Sequence, residues 1–166
     1  MAQALIREIA ENHERPLTGE EVQRVVECVS SAPFDPEPRR VATALRGLFY
    51  QGHELGTREQ PLRSHLVQRV LIDRQWADGT VAHEYLEDLR AAARHPSAKI
   101  AVGLPPGSGP LVYLFAPNAT PPGRLGENSL PWVFVLYSTD ADAIITGYQA
   151  SGMETVRLPS NTRWLR

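Results

Sequence analysis

Cysteine is almost absent from this sequence, because Cys28 is the only one among 166 residues. A disulfide within the chain is therefore excluded, and packing must hold the fold together. The histidines are scattered without the close spacing of zinc ligands, and no glycine loop of the phosphate-cradling kind is present. The five are His13, His53, His65, His83 and His95. We therefore expect neither a metal site nor a cofactor.

Long apolar runs are missing as well. No segment approaches the roughly 20 residues that a membrane-spanning helix needs. The first eight residues lack the basic start and the apolar stretch of a secretion signal. We therefore expect a soluble protein that acts in the cytoplasm and has no membrane partner.

Lysine is nearly as rare as cysteine, since Lys99 is the single lysine beside 16 arginines. The formal net charge is −2: residues 1–54 carry −3, residues 55–100 carry +1, and residues 101–166 are balanced. Arginine and lysine are not interchangeable at a binding site, which makes one lysine in an arginine-rich chain noteworthy. No part of the chain is basic enough for tight nonspecific binding to a polyanion.

Apolar residues at helical spacing predict a helical first half. Thr18 and Glu21 match a capping box at the start of the second helix, and Pro16 and Pro96 mark helix ends. Thr80 is the expected N-cap of the last helix. The predicted helical segments cover residues 5–15, 18–29, 39–50, 61–77 and 80–95.

The apolar pattern changes to short runs after Pro96, which is typical of strands. Residues 132–137 form a near-continuous apolar run and are predicted to be a central strand, which a turn at residues 140–142 joins to a hairpin partner. The predicted strands cover residues 98–102, 111–115, 132–137, 143–148 and, at an edge, 153–158. Helices followed by an antiparallel β-sheet of about four to five strands predict an α+β fold. We divide it into an N-terminal helical segment, residues 1–56, and an α+β domain, residues 57–166.

Five side chains suit the cleavage of RNA without a metal. His65 and Arg69 are four residues apart on one predicted helix, so they share a face. Thr146 and Tyr148 are two apart on one strand and point the same way. Histidine can take a proton from the ribose 2′-OH or give one to the leaving oxygen, and Arg69 or Lys99 can stabilise the phosphate charge. If the helix packs across the sheet edge, these groups converge.

Each of these residues also has an ordinary structural explanation. His65 and Arg69 fit a solvated helix surface, with the arginine stem packed down. Thr146 and Tyr148 are common strand residues, and Lys99 fits a sheet edge. Only their joint placement in one pocket favours catalysis.

The order of elements and four short motifs resemble the barnase–EndoU–colicin–RelE ribonuclease superfamily. The likeness is greatest to toxin domains of contact-dependent inhibition and polymorphic toxin systems. The matching segments are SHLVQRV at 64–70, RHPSAKI at 94–100, WVFVL at 132–136 and IITGY at 144–148. The resemblance implies a bacterial, metal-independent endoribonuclease, often acting on tRNA, that leaves a 2′,3′-cyclic phosphate.

The same resemblance implies roles and partners. His65 would be the acid or base, Arg69 and Lys99 the phosphate contacts, and Thr146 with Tyr148 the site residues at the strand end. RNA rather than DNA would be the substrate, and a cognate immunity protein or antitoxin would be the protein partner. The domain would act in the cytoplasm, after delivery from another cell if it is part of a larger toxin.

The chain departs from this pattern, because it is only faintly basic and its N-terminal helices have no counterpart in the superfamily. A second hypothesis is therefore a non-catalytic protein-binding module on the same fold, such as an adaptor or an immunity-like protein. The mild acidity favours it. A hydrolase of another kind has no nucleophile motif behind it, because Cys28 lies in an apolar helix pattern and no Gly-x-Ser-x-Gly elbow exists.

Overall fold

A computed structural model describes residues 2–35, 49–50, 53–54 and 61–166. Within these residues, helices precede an antiparallel sheet, which confirms the predicted α+β fold. The helices are α1 (Ala2–Glu11), α2 (Gly19–Ser31), α3 (Pro61–Val67) and α4 (Ala82–Arg94). The strands are β1 (Phe49–Tyr50), β2 (His53–Glu54), β3 (Lys99–Gly103), β4 (Leu111–Pro117), β5 (Trp132–Ser138), β6 (Ala143–Ala150) and β7 (Arg163–Trp164). No helix in the described ranges is both long and apolar enough to cross a membrane.

The capping box predicted at the start of the second helix, α2, is present in the structure. The Glu21 backbone N–H donates to Thr18 Oγ1 over 3.1 Å, and the Thr18 N–H donates to the Glu21 carboxylate over 3.1 Å. This reciprocal pair satisfies two donors that a helix start leaves unpaired. The helix predicted over residues 39–50 lies outside the described residues as far as residue 48. The predicted C-terminal end of this helix is wrong, because Phe49–Tyr50 is a strand that pairs with β2. Aromatic residues are common in strands.

The helix that starts at Pro61 ends earlier than its pattern predicts. After α3 the chain widens into a π-helical turn, Gln68–Ile72, and Arg74 then adopts a left-handed φ of 55° that ends the helix. Thr80 was the wrong N-cap for α4. Its hydroxyl donates back to the Ala77 carbonyl over 2.7 Å, and the Val81 N–H is satisfied by the Glu84 carboxylate at 3.0 Å.

The five-stranded sheet has the order β6-β5-β4-β3-β7, and all its neighbouring strands are antiparallel. The run at residues 132–137, predicted to be central, is β5 and lies next to the centre, which β4 occupies. The edge strand predicted at residues 153–158 is wrong. Met153–Thr155 is a 3₁₀ turn, and Met153, Val156 and Leu158 pack instead over one sheet face. The edge beside β3 is formed by β7.

The two sheet faces have different coverings. One face packs against the four helices of the described residues in a single core. To this core α1 and α2 contribute Ile6 and Val25, and the sheet contributes Ile100 and Val135. The N-terminal helices therefore share a core with the sheet. The domain boundary predicted at residues 56–57 lies outside the described residues. The other face carries a smaller aromatic cluster around Phe115 and Phe134.

The outer side of edge strand β6 is bonded to preceding segments of the chain. The Ile144 N–H donates to the Pro33 carbonyl and the Asp35 N–H donates to the Ile144 carbonyl, both over 2.8 Å. Farther along, the Gln75 side-chain amide bonds both backbone groups of Gln149, at 2.8 and 2.9 Å. These contacts place the segment that follows α2 and the segment that follows the π-helical turn against β6.

Candidate functional site

Four of the five predicted site residues lie at the middle of the β6 edge, with Arg69 at their centre. Its Nε donates to the Gly147 carbonyl over 2.9 Å, and its Nη2 donates to Thr146 Oγ1 over 3.2 Å. Its guanidinium carbon lies 5.2 Å from the centroid of the Tyr148 ring, within reach of a cation–π contact. One side chain thus joins the helix bearing His65 to both strand residues that the sequence singled out.

The register explains how Arg69 reaches both residues. Thr146 pairs with Leu136 and Tyr148 pairs with Phe134, and directly paired residues share a face of the sheet. Both side chains therefore lie on the aromatic face, whereas Arg69 comes from the helical layer. The guanidinium lies at the outer edge of β6, where it also contacts the Gly147 carbonyl.

A π-helical turn places Arg69 at this edge. The Asp73 N–H donates to the Gln68 carbonyl over 2.9 Å, and the Gln75 N–H donates to the Arg69 carbonyl over 2.8 Å. Such wide turns are rare, and they occur frequently at functional sites. The turn also fixes Asp73, which binds Arg69 from the other side.

Asp73 balances the charge of Arg69. Its Oδ2 lies 2.9 Å from Arg69 Nη1, and its Oδ1 accepts from Gln68 Nε2 over 3.1 Å. The Arg69 side chain is 12% exposed and the Asp73 side chain 28%. The carboxylate is therefore the more solvent-facing partner of a partly buried ion pair. Sequence reasoning missed Asp73, although a charge pair at i, i+4 on a helix is a recognised signal.

His65 lies beside this ion pair in a largely apolar setting. Its ring meets Phe34 edge-on, with centroids 4.9 Å apart, and Phe34 is itself bridged to Ile144 of β6. Burial, reinforced by the positive charge of Arg69, lowers the pKa of His65 to about 4. The imidazole is consequently neutral at pH 7, so it can act as a general base but not as a general acid.

Gly147 and Tyr85 complete the framework. The fully buried Tyr85 donates its hydroxyl to the Gly147 carbonyl over 2.5 Å, the same oxygen that Arg69 binds. A Cβ on Gly147 would lie 2.5 Å from a methyl carbon of Leu89. Glycine between Thr146 and Tyr148 therefore allows α4 to approach β6. A tyrosine on the apolar side of α4 needs a partner for its hydroxyl, a signal that could have pointed to this contact.

Lys99 is not brought to the other four residues. It is exposed on β3 and lies in the same cross-strand row as Tyr148, through Phe115 and Phe134. Three strand spacings separate the ends of that row, about 14 Å at the backbone. One phosphate at Arg69 is out of reach of the Lys99 ammonium.

Other chemistry has less support. Among the described residues, no group of three or more His, Cys, Asp or Glu side chains could hold a metal ion. Cys28 donates its thiol to the Tyr137 hydroxyl over 3.1 Å, and burial raises the pKa of the thiol. It is thus a protonated, hydrogen-bonded group rather than an activated nucleophile.

Comparison with known proteins identifies no relative: no family model, no curated protein and no solved structure matches this chain.

Proposed function

We propose that this chain is a metal-independent, toxin-type endoribonuclease that cleaves by attack of the ribose 2′-OH, with tRNA as the substrate to test first. One observation carries the proposal: Arg69 binds Thr146 and contacts Tyr148 beside a neutral His65. A proton acceptor, a cation and two hydroxyls come together from segments far apart in the sequence. The resemblance described above supplies the reaction class.

In the proposed reaction, His65 removes the proton from the 2′-OH. Arg69 and Thr146 hold the phosphate oxygens, where charge-assisted hydrogen bonds stabilise the developing negative charge. A pKa of about 4 makes a weak base, but a bound phosphodiester would place a negative charge near the imidazole and raise that pKa. Because His65 starts as a neutral imidazole and serves as the base, water supplies the proton to the leaving 5′-oxygen.

Cleavage of total tRNA in EDTA, with analysis of the new ends, tests this proposal. The wild-type chain should leave 2′,3′-cyclic phosphates, and His65→Ala should lower the rate at least 100-fold, the usual scale of general acid–base catalysis. His83→Ala is the matched control, because His83 is an exposed histidine on α4. Its rate should equal that of the wild type.

Two results would reject the ribonuclease. One is an intact tRNA pool after prolonged incubation with folded wild-type protein. The other is a His65→Ala variant that cleaves at the wild-type rate, since the proton acceptor would then lie elsewhere.

A second candidate function, a non-catalytic protein-binding module, is favoured by exposed apolar side chains around the π-helical turn. Leu71 is 46% exposed, Ile72 53% and Leu125 37%. Leu71 and Leu125 line a cavity of about 400 Å³ whose wall includes Trp76. Clustered apolar surface of this kind often marks a protein interface, which an adaptor or an immunity-like protein would need.

Binding measurements with the purified partner separate the two functions. A binding module should keep its affinity in His65→Ala and Thr146→Ala and lose it in Ile72→Ser. Loss of the complex in His65→Ala, with Ile72→Ser unaffected, would place the interface away from this apolar surface.

A further inference from the structure

We infer that Asp73 occupies, in the unliganded protein, the place on Arg69 that an anionic group of the ligand takes, so that binding exchanges a carboxylate for a phosphate. This inference rests on the proposed function for the identity of the ligand, a phosphodiester of RNA. The anion site itself rests on the surroundings of Arg69. Asp73 would then compete with the ligand for Arg69 and so determine how tightly the site binds an anion.

The partners of Arg69 divide into neutral and charged ones. Nε and Nη2 donate to the Gly147 carbonyl and the Thr146 hydroxyl, which are both uncharged and both on β6. Nη1 alone meets a charged group, the Asp73 carboxylate at 2.9 Å. The strand therefore fixes the plane of the guanidinium, and Asp73 supplies only the counter-charge.

Asp73 lies on the side from which a ligand would arrive. It is the more exposed partner of the ion pair, at 28% against 12% for Arg69. It follows the last residue of the π-helical turn and precedes Arg74, where the chain leaves helical geometry. Its second oxygen is bonded to the Gln68 amide. Rotation of one side chain would free Nη1 without moving the β6 contacts.

Charge explains why the exchange matters. With His65 neutral, Arg69 and Asp73 together carry no net charge, so a phosphate anion gains little attraction while the carboxylate is in place. Phosphate and carboxylate present similar oxygen pairs to a guanidinium, and they compete for the same donor. A neutral side chain at position 73 should therefore strengthen anion binding.

The competing explanation is that Asp73 only positions Arg69, and Asp73→Asn separates the two. Asparagine keeps one oxygen that can accept from Arg69 Nη1, and Gln68 can turn its amide to meet the new NH₂ group. The substitution removes the charge and preserves the shape. Asp78→Asn is the matched control, because Asp78 is an exposed acid and its substitution changes the net charge by the same amount.

The experiment titrates the intact chain with inorganic phosphate and with a short all-2′-deoxy oligonucleotide, which lacks the attacking hydroxyl and cannot be cleaved. NMR signals of the His65 ring report binding and the pKa of His65. We expect Asp73→Asn to bind the oligonucleotide about tenfold more tightly than the wild type, the scale of one partly screened charge. Asp78→Asn should stay within about twofold, because the exposed Asp78 charge is screened by solvent and the ion pair of Arg69 is with Asp73.

The pKa of His65 gives a second measurement, which tests whether the Asp73 charge offsets that of Arg69 at the site. Without the Asp73 charge, the positive charge of Arg69 acts on His65 unbalanced, so the pKa of His65 should fall below its wild-type value. Urea unfolding of each variant shows that the fold is intact.

Equal or weaker binding by a folded Asp73→Asn variant would overturn the inference, as would an equal gain in Asp78→Asn or an unchanged pKa of His65. Failure of the ribonuclease proposal is distinguishable. If Asp73→Asn binds the oligonucleotide more tightly but the wild type cleaves no RNA, the anion site is supported and the ribonuclease is rejected. If the wild type cleaves RNA but Asp73→Asn binds no more tightly, the ribonuclease is supported and the competing role of Asp73 is rejected.

Discussion

Gly147→Ala tests the close approach of α4 to the strand that carries the candidate site. The added Cβ would lie 2.5 and 2.6 Å from the two methyl carbons of Leu89 and 3.0 Å from its Cγ. Leu89 is fully buried, so it has little room to move away. Overpacking of this kind costs about 1–3 kcal/mol, and the lost flexibility of glycine in the unfolded chain returns about 0.4–1 kcal/mol. We expect a net destabilisation of about 1–2 kcal/mol.

Urea unfolding followed by circular dichroism measures this change, and thermal unfolding should show a Tm lower by about 2–8 °C. Gly19→Ala is the matched control, because a Cβ at Gly19 meets nothing within 4 Å. That variant should be neutral or slightly more stable, since alanine is the better helix former at the start of α2.

A double-mutant cycle identifies the cause. Leu89→Ala alone should cost about 2–5 kcal/mol by opening a cavity, and in that background Gly147→Ala should cost nothing or recover part of the loss. The coupling energy should be about 1–2 kcal/mol, within the range for residues in contact. Additive effects, or a Gly147→Ala variant as stable as the wild type, would refute the claim that Leu89 requires glycine here.

Two further predictions concern stability. Arg124→Met should lower the free energy of unfolding in urea by about 3–5 kcal/mol. It leaves the buried Asp88 carboxylate without its two hydrogen bonds from the guanidinium, which are 2.9 and 2.6 Å long. Arg74→Met is the control, because it breaks an exposed ion pair with Glu127 and should change the free energy of unfolding by no more than about 0.5 kcal/mol. Because the pKa of His65 is low in the folded chain, the imidazole binds a proton between pH 6.5 and 4 only when the chain is unfolded. The free energy of unfolding should therefore fall by about 3 kcal/mol as the pH drops from 6.5 to 4. His65→Gln should flatten the curve in this window, and an equal slope in both proteins would show that other groups cause it.

The regular elements were readable from the sequence because their signals are local. The capping box at Thr18 and the period change after Pro96 depend on neighbours along the chain, and both predicted the correct element. Thr80 failed as a cap because its hydroxyl bonds back to the Ala77 carbonyl, so that the helix begins one residue later, with Val81 as the N-cap residue. The two-residue strand Arg163–Trp164 had no pattern to detect, since pairing with β3 alone defines it.

The candidate site was only partly readable, for reasons of geometry. Arg69 and Thr146 could be selected by chemistry, but the π-helical turn that brings them together depends on packing against β6. The sequence alone could have excluded Lys99 from the candidate site. In a meander, consecutive strands are neighbours, so the predicted order already separated β3 from the strand of Thr146 by two others.

The bonded outer edge of β6 also affects how copies of the chain behave towards one another. An open edge strand presents free N–H and C=O groups, a template on which another chain can add a strand and begin to aggregate. Here Gln75 and Arg69 occupy such groups at Gln149 and Gly147. Arg69 therefore helps to cover this edge as well as forming the candidate site, and a variant that removes it leaves the Gly147 carbonyl with Tyr85 as its partner. Thr146→Val alters the site while leaving the edge closed, which makes it the cleaner change for separating lost activity from self-association.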